Sequence, residues 1–338
     1  MGQPNSGRQL VMAFERYDPT DTSIAWLREK GLVVKTGHAL WEMPFKRFTE
    51  DELIVEADGA VALMGASGTR ISRRVIEALP ALRYISKYGI GVDSIDMAAA
   101  TDNGVLVSNT PNDFQIFTVC EHAIALMLAL AKQLGTWTPE FMRAGGWRGL
   151  THSVTLKGAT VGIIGLGRIG RGVAQRLAGW ECRILACDPY LKEAPPGIEL
   201  VGLPELIAAS DFITLHAAPG ADNRHMLNAA AFAAMKPSVL IVNTGRGSLI
   251  DYAALRAALD KGRIAGVALD VFDQEPPNPE DPLFRNPNVI CTPHVAAWTR
   301  QGTEGIGWHA ARNLWAMISG EGHPDIVNPE ARARERER

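Results

Sequence analysis

The fold of this chain is decided by the stretch Thr160-Val161-Gly162-Ile163-Ile164-Gly165-Leu166-Gly167-Arg168-Ile169-Gly170. Its first five residues form an apolar, β-branched run of strand length, and the glycines that follow lead into a helical pattern that ends near Trp180. A second apolar run, residues 183–187, ends on Asp188, about twenty residues beyond the glycines. This order of strand, glycine turn, helix, strand and acid predicts a dinucleotide-binding unit.

Each glycine of this pattern has a separate physical role. Gly165 lets the chain turn sharply, and Gly167 removes the side chain that would hold the backbone away from a pyrophosphate. Gly170 lets the helix pack closely against the strand. The alternative is a glycine turn in an ordinary βα unit, but the position between a predicted strand and a predicted helix favours nucleotide binding.

The residues around the glycines predict the kind of nucleotide. The amino end of the helix supplies unpaired N–H groups, at Arg168 and Ile169 among others, which bind anionic oxygens. Asp188 accepts hydrogen bonds from a ribose 2′-hydroxyl and would repel a 2′-phosphate. The sequence therefore favours NAD over NADP as the cofactor.

Length and composition limit the class of protein. A chain of 338 residues exceeds the size at which single cores stop growing, about 250 residues, so two domains are expected. With 46% hydrophobic residues, 21% charged residues and a net charge of −3, the chain has the composition of a globular protein and no electrostatic signal for nucleic acid. It also lacks an apolar run long enough to cross a bilayer and an N-terminal signal core. The four scattered cysteines predict neither disulfides nor a zinc site: Cys120, Cys182, Cys187 and Cys291. We expect a cytoplasmic protein without metal, nucleic-acid partner or membrane span.

Strand and helix patterns alternate along the whole chain. Before the glycine stretch, strands are predicted at residues 10–14, 32–35, 60–64, 82–86 and 105–108. After Asp188, they are predicted at residues 212–215, 239–242, 265–271 and 288–291. Repeated units of this length predict an α/β protein with two doubly wound parallel sheets.

Two long helical patterns predict how the domains are connected. One runs from about Phe114 to Leu134 and is expected to cross between domains, and the other, from Gln301 to Ser319, is expected to return. A Rossmann NAD-binding domain at residues 113–299 would then be inserted into a flavodoxin-like substrate domain at residues 1–112 and 300–330. Residues 331–338 alternate Arg and Glu, and we expect a disordered tail there.

Two segments allow more than one interpretation. Glu121 and His122 lie together in the crossing helix, where they could be functional, although we favour a pair that satisfies itself inside an interface. Residues 135–156 are rich in Gly, Trp and Arg and are expected to form an irregular arm. Its aromatic side chains could cover a core, form a lid or contact a second subunit, and we favour the contact, which predicts a homodimer.

Three polar residues follow successive strands of the nucleotide domain and predict its chemistry. Arg246 can bind a substrate carboxylate through its two-pronged guanidinium, and His294 can give a proton to a carbonyl oxygen as hydride arrives. A carboxylate at Glu275 would orient the imidazole and favour its protonated form. Alone, Arg246 could form a surface ion pair, Glu275 could be an ordinary loop acid and His294 could be structural. Together they follow the carboxyl ends of strands, where open α/β sheets bind ligands.

With these motifs in place, the sequence resembles the D-2-hydroxyacid dehydrogenases along nearly its whole length. The matching motifs, besides the glycine stretch with Asp188, are Gly89-Ile90-Gly91-Val92-Asp93, Asn109-Thr110-Pro111, Asn243-Thr244-Gly245-Arg246-Gly247, Leu269-Asp270-Val271-Phe272 with Glu275-Pro276, and Thr292-Pro293-His294. The resemblance implies that Arg246 clamps the substrate, that Glu275 partners the imidazole and that His294 is the acid and base. It also implies cofactor contacts at Arg168, Ile169, Ala217, Thr244, Gly245, Asp270, Ala296 and Ala297, and substrate contacts at Ile90 and Gly91.

The chain departs from the family pattern at two places. After His216 the family has a polar residue and then proline, whereas this chain has Ala217-Ala218 before Pro219. After His294 the family usually has a small or glycine-rich run, whereas this chain has Val295-Ala296-Ala297-Trp298. Trp298 either narrows the pocket or packs between domains. Lys87 lies where phosphoglycerate dehydrogenases of the family carry a basic residue, so it would suit a substrate phosphate or second carboxylate, a solvated lysine being the alternative.

Taken together, these features predict an NAD-dependent oxidoreductase that interconverts a D-2-hydroxy acid and its 2-keto acid. Hydroxypyruvate, glyoxylate and phosphohydroxypyruvate are the expected substrates, and the two domains are expected to close around the ligands. The alternative is an NAD(H)-sensing corepressor or scaffold that retains the fold.

Overall fold

The structure is a computed structural model that describes residues 9–65, 68–111, 113–149 and 152–335. The chain divides into two compact units: one comprises Met1–Gln115 and Thr299–Arg338, and the other comprises Ile116–Trp298. Our expectations for the N-terminal seven residues and for Asn112 lie outside the described residues.

The strands and helices follow one another in chain order. The strands are β1 Leu10–Arg16, β2 Val33–Ala39, β3 Ala62–Gly65, β4 Tyr84–Lys87, β5 Leu106–Ser108, β6 Thr160–Ile164, β7 Arg183–Cys187, β8 Glu199–Leu200, β9 Phe212–Leu215, β10 Leu240–Asn243, β11 Gly266–Leu269 and β12 Val289–Cys291. The helices are α1 Thr22–Glu29, α2 Glu50–Glu56, α3 Arg73–Ala78, α4 Met97–Asp102, α5 Asp113–Ala131, α6 Pro139–Arg143, α7 Arg168–Leu177, α8 Leu203–Ala209, α9 Ala229–Ala234, α10 Tyr252–Asp260, α11 Arg300–Ser319 and α12 Arg332–Glu335.

The first unit is built on a parallel sheet of five strands in the order β2-β1-β3-β4-β5. This is the strand order of flavodoxin-like folds. One face of the sheet packs against α2, α3 and α4 through a core that includes Phe14, Leu63 and Val75. In the same unit, α11 is anchored to the sheet because the Ser86 hydroxyl donates to the carbonyl of Ala310 at 2.8 Å.

The second unit is built on a parallel sheet of seven strands in the order β12-β11-β10-β9-β6-β7-β8. Its central order is that of the Rossmann fold, which confirms the predicted fold class. Alternate residues of β6 point to opposite faces: Ile163 packs with α5 and α7, and Ile164 packs with α8, α9 and α10.

The register of this sheet brings the ends of neighbouring strands to one edge. Asn243 pairs with Leu269, and Leu269 pairs with Cys291, so β10, β11 and β12 finish side by side. The loops that follow these three strands therefore begin at the same edge of the sheet. These loops carry Arg246, Glu275 and His294.

Two segments differ from the sequence-based expectation. The arm at residues 135–156 contains the helix α6, which begins because Thr138 caps the N–H of Phe141 and Pro139 occupies the first turn. The second segment is the predicted disordered tail, of which residues 331–335 form helical turns. Ala331 is buried there, and the guanidinium of Arg334 donates to the carbonyl of Asp102. Residues 336–338 lie outside the described part.

Candidate active site

The glycine loop after β6 has the backbone geometry that the sequence predicted. Gly165 has a φ of +89°, which L side chains rarely adopt, and its N–H donates to the carbonyl of Cys187 at 2.9 Å. A Cβ atom on Gly165 would lie 2.5 Å from the backbone nitrogen of Ala217. A Cβ atom on Gly170 would overlap the carbonyl oxygen of Gly165. Both glycines are therefore required by close backbone packing.

Gly167 differs from the other two glycines because it faces open space. It is the N-cap of α7, and among the described residues no atom other than those of Gly167 and its two chain neighbours lies within 4 Å of the position that its Cβ would occupy. The N–H groups of Arg168 and Ile169 belong to the first turn of α7, where helical N–H groups lack partners within the helix. This open, donor-rich loop fits the pyrophosphate of a dinucleotide.

The carboxylate of Asp188 is tied to the glycine loop. Its Oδ2 accepts the N–H of Leu166 at 2.8 Å, and its Oδ1 accepts the N–H of Tyr190 at 3.0 Å. A carboxylate oxygen can accept more than one hydrogen bond, so both oxygens retain the capacity to accept ribose hydroxyls. The sequence interpretation did not predict the hydrogen bond to Leu166. The signal for it was present, because the motif itself places an acid close to the glycine loop.

His216 lies between the glycine loop and β10. Its Nε2 is 2.9 Å from the Thr214 hydroxyl, and its Nδ1 is 3.4 Å from the Thr244 hydroxyl. Burial lowers the pKa of His216 to about 4, so the ring is neutral at physiological pH. Ala217, which replaces a polar residue of the family pattern, lies against Gly165 through its backbone.

The Arg246 loop is fixed by the side chain of Asn243, the last residue of β10. The Asn243 amide donates to the carbonyl of Arg246 at 2.8 Å and accepts the N–H of Gly245 at 3.0 Å. Nη1 of Arg246 donates to the carbonyl of Gly245 at 2.8 Å. A side chain at Gly247 would overlap the backbone of Phe272, so this loop also packs directly against the next one.

Glu275 and His294 form the pair that the sequence predicted. Nδ1 of His294 lies 2.7 Å from Oε2 of Glu275, and Oε1 of Glu275 accepts the N–H of Phe272 at 3.0 Å. Because an ionised carboxylate only accepts hydrogen bonds, Nδ1 carries the proton and Nε2 is the atom left for a ligand. The His294 side chain is 47% exposed, so a ligand can reach it.

Asp270 holds the loop that carries His294. The residue is fully buried, and its carboxylate accepts the Thr292 hydroxyl at 2.6 Å and the N–H groups of Val295 and Ala296, each at 2.9 Å. Burial acts to raise the pKa of Asp270, but hydrogen bonds from these groups and from His122 outweigh it and lower the pKa. The carboxylate thus holds this loop, and the cofactor contact that the resemblance implies for Asp270 stays a prediction.

Glu121 and His122 do not form the self-satisfied pair that we favoured. The Glu121 side chain is 67% exposed and lies 3.8 Å from Arg176. Nε2 of His122 lies 3.0 Å from the hydroxyl of Thr292 and 3.5 Å from Oδ1 of Asp270. Adjacent positions on a helix point in different directions, which separates the two side chains.

The segment after His294 continues with residues of differing exposure. Ala296 is buried, whereas Ala297 and Trp298 are half-buried. The N–H of Trp298 donates to the carbonyl of Val295 at 2.8 Å, which closes the turn. Both interpretations of the Trp298 side chain remain predictions.

The predicted substrate loop lies in the first unit, after β4. Its backbone is fixed by β5, since the N–H of Gly89 donates to the Thr110 hydroxyl and the Asn109 amide donates to the carbonyl of Ile90, each at 2.8 Å. Ile90 is exposed, and Gly91 is half-buried. Lys87 is not the solvated residue of our alternative, because it is buried and its Nζ donates to the carbonyl of Tyr88 at 2.6 Å.

Within the described ranges, no group of three or more His, Cys, Asp or Glu side chains is placed to hold a metal ion. No helix among these residues has both the length and the apolar character to span a membrane.

Comparisons with known proteins agree with this geometry. Residues 124–296 match the family model of the D-isomer specific 2-hydroxyacid dehydrogenase, NAD binding domain. The chain is 37% identical to a D-3-phosphoglycerate dehydrogenase of Archaeoglobus fulgidus over 91% of its own length and 58% of that relative. It is 36% identical to a glyoxylate reductase of Korarchaeum cryptofilum over 86% of its length and 89% of that relative.

Solved structures share the fold over nearly the whole chain. The crystal structure of a glyoxylate reductase from Paecilomyes thermophila matches with a TM-score of 0.80 and 30% identity, covering 96% of this chain and 99% of that one. The chain spans little more than half the length of several curated phosphoglycerate dehydrogenases that it matches. The sequence match, the shared fold and the NAD-binding domain establish that this chain belongs to the D-isomer specific 2-hydroxyacid dehydrogenase family.

Proposed function

We propose that this protein is an NAD(H)-dependent oxidoreductase that interconverts a D-2-hydroxy acid and its 2-keto acid. The observation that carries the proposal is the hydrogen-bonded pair of His294 and Glu275, on loops that begin beside the Arg246 loop at one edge of the sheet. The same sheet carries the glycine loop, whose open side at Gly167 fits a dinucleotide.

The side chains have complementary roles in this reaction. When bound, NAD(H) supplies or accepts the hydride. Arg246 binds the substrate carboxylate through two parallel N–H···O bonds, which fixes the position of the neighbouring carbonyl carbon. His294 donates a proton from Nε2 to the carbonyl oxygen during reduction and takes it back during oxidation. Glu275 holds the imidazole through Nδ1, so that Nε2 is directed toward the ligand.

The surroundings of Lys87 favour an unphosphorylated substrate. A phosphate would require a cation that can reach it, but Lys87 is 2% exposed and already donates to a backbone carbonyl. We therefore place glyoxylate and hydroxypyruvate ahead of phosphohydroxypyruvate. Among the relatives, a glyoxylate reductase is named, and so are several phosphoglycerate dehydrogenases, so both substrate types belong in the test.

A panel of 2-keto acids tests the proposal. Purified protein with NADH is offered glyoxylate, hydroxypyruvate or phosphohydroxypyruvate, and NADH oxidation is followed by its absorbance. We expect turnover with the first two, loss of turnover in His294→Ala, and unchanged NADH binding in that variant. NADH binding without turnover of any 2-keto acid would instead support the alternative of an NAD(H)-sensing corepressor or scaffold.

We also infer a homodimer. Large apolar side chains in and beside the arm at residues 135–156 are exposed in the single chain: Leu134 at 58%, Met142 at 56% and Trp147 at 80%. Apolar groups of this size are characteristic of protein contacts. Light scattering should give twice the monomer mass of 36.6 kDa, and Trp147→Glu should shift the protein toward the monomer. A wild-type monomer at micromolar concentration would refute the inference.

The cysteines support our placement of the protein in the cytoplasm. All four thiols are free, and burial raises the pKa of each, to about 11 for Cys291. Free and unreactive thiols are typical of a reducing compartment. Fractionation of cells that express the tagged protein tests this placement, and recovery with membranes or outside the cell would contradict it.

A further inference from the structure

A chain of hydrogen bonds connects helix α5 with the loop that carries His294. Nε2 of His122 lies 3.0 Å from the hydroxyl oxygen of Thr292, and this oxygen lies 2.6 Å from Oδ1 of Asp270. The chain joins residues that are 170 positions apart in the sequence. His122 belongs to α5, Thr292 follows β12, and Asp270 follows β11.

The direction of this chain follows from the chemistry of its members. The lowered pKa keeps Asp270 ionised, so its carboxylate only accepts hydrogen bonds and the single hydroxyl proton of Thr292 points toward it. The Thr292 oxygen can then only accept from His122. Nε2 of His122 therefore carries a proton, and this residue acts as a donor to the chain.

The chain ends on the backbone of His294. The N–H of His294 donates to the carbonyl of Asp270 at 2.8 Å, and the carboxylate of Asp270 binds the two N–H groups that follow, at Val295 and Ala296. His294 itself has a φ of +54°, a left-handed conformation that is uncommon for residues other than glycine. Such a conformation persists only where the surrounding contacts hold it.

From this arrangement we infer that His122 is a positioning residue for catalysis. Its Nε2–H fixes the rotamer of Thr292, which in turn orients the Asp270 carboxylate that holds His294 in line with Glu275. Without the Nε2–H of His122, the side chain of Thr292 can rotate. The buried carboxylate of Asp270 then loses the hydrogen bond from the Thr292 hydroxyl. The inference rests on the proposed function, because it concerns the residue that exchanges the substrate proton.

Two substitutions at position 122 test the donor role. His122→Gln keeps an N–H donor at similar reach, whereas His122→Phe keeps the ring shape and removes the donor. Displacements of about 1 Å can cost about 100-fold in rate, so we expect kcat for the 2-keto acid to fall 10- to 100-fold in His122→Phe. The Gln variant should stay within about threefold of the wild type, since its donor is retained. Glu121→Gln, on the adjacent exposed residue, is the matched control and should leave kcat unchanged.

The affinity for ADP-ribose, the part of NAD that lacks the nicotinamide, separates positioning from a general loss of structure. Among the described residues, the glycine loop and Asp188 make no hydrogen bond with His122, Thr292 or Asp270, so the dissociation constant of ADP-ribose should change by less than about twofold in every variant. If His122→Phe does not fold, Thr292→Val, which removes the hydroxyl, is compared with Thr292→Ser, which keeps it. The same loss of kcat in the Val variant and recovery in the Ser variant is then expected.

A double-mutant cycle decides whether His122 acts through Thr292. In a Thr292→Val background the His122→Phe change should lower kcat much less than it does in the wild type, because the Thr292 acceptor is lost and only the 3.5 Å approach of Nε2 to Asp270 remains. Full additivity of the two losses would overturn the inference, as would wild-type kcat in His122→Phe. Absence of turnover in the wild type would refute the proposed function instead, so the two failures are distinguishable.

Discussion

Nδ1 of His294 lies 2.7 Å from Oε2 of Glu275, while the other carboxylate oxygen of Glu275 accepts the N–H of Phe272 at 3.0 Å. The carboxylate is therefore held at both oxygens by two donors. The imidazole is directed by an acceptor that cannot rotate without losing a backbone hydrogen bond. Glu275 therefore needs two acceptor oxygens, and a neutral side chain of the same size would not hold the imidazole in the same way.

Replacing Glu275 by Gln should impair catalysis strongly. A glutamine offers one acceptor oxygen to two donors, so either the Phe272 N–H or the His294 Nδ1–H faces an NH₂ group. We expect kcat for the 2-keto acid to fall on the order of 10,000-fold, as when an amide replaces the carboxylate of an acid–imidazole pair, in steady-state assays of NADH oxidation. Glu280→Gln, at an exposed acid in the same loop, is the control. Equal rates in Glu275→Gln and the wild type would exclude the orienting role.

Replacing Arg246 by Lys should separate charge from geometry. The lysine keeps the positive charge but loses the fork that matches a carboxylate. Loss of one charged hydrogen bond, about 1.5–3 kcal/mol, corresponds to a fall in kcat/KM of about 10- to 100-fold. NADH affinity should not change. Arg263→Lys, at an exposed residue, is the matched control, and an unaltered kcat/KM in Arg246→Lys would show that the fork does not bind the substrate.

The two glycines at positions 167 and 170 should respond differently to alanine. Gly170→Ala places a methyl group into the backbone of Gly165 and should lower the free energy of unfolding by about 1–3 kcal/mol. Gly167 has a φ of −70° and open space beside it. The free energy of unfolding of Gly167→Ala should therefore stay within about 0.5 kcal/mol of the wild-type value. Its NADH affinity should nevertheless fall, because the methyl group occupies the space of the pyrophosphate.

Denaturant unfolding and NADH titration, carried out on the same preparations, test both glycine substitutions. A Gly167→Ala protein that binds NADH as tightly as the wild type would show that the pyrophosphate lies elsewhere. A fully stable Gly170→Ala protein would show that the loop and α7 can separate at little cost.

His216 should make stability depend on pH. Burial lowers its pKa to about 4, whereas an unfolded histidine titrates near 6.5, so the unfolded state binds more protons between these values. The contribution of His216 is therefore complete above pH 6.5 and is lost as the pH falls toward 4, by up to about 3 kcal/mol. In His216→Gln this part of the pH dependence should disappear from the free energy of unfolding.

A control for the His216 experiment is available on the surface. His323→Gln removes an exposed histidine and should retain the pH dependence of stability that His216 contributes. If His216→Gln retains the wild-type slope between pH 4 and 6.5, His216 binds protons equally in the folded and unfolded protein, and its lowered pKa is wrong.

The sequence predicted the fold well because apolar runs and glycine turns are local signals. The strand β6 has the predicted bounds, 160–164, since its β-branched run is flanked by a turn on each side. In contrast, β1 and β2 extend beyond their apolar runs, where Glu15 pairs with His38 and Arg16 with Ala39. Backbone pairing between two neighbouring strands continued these elements, and side-chain patterns do not report such pairing.

The residue types of the candidate site could be predicted from the sequence, but most of the hydrogen bonds between them could not. The pairing of Glu275 with His294 follows from two loops at one edge of a sheet. The contact between His122 and Thr292 joins residues 170 positions apart and depends on the rotation of α5 about its axis. A rotation of this kind is set by packing along the whole helix, so adjacent residues such as Glu121 and His122 gave no indication of their different surroundings.

Asp188 shows why changing the coenzyme of this protein will take more than one substitution. Its carboxylate, which we expect to bind the ribose hydroxyls, also accepts the N–H of Leu166 inside the glycine loop. A residue at position 188 that accommodates a 2′-phosphate must therefore also accept the N–H of Leu166. Otherwise the glycine loop loses this hydrogen bond and becomes less ordered. An engineer would do best to combine a short acceptor such as serine or asparagine at position 188 with a new cation on a neighbouring loop.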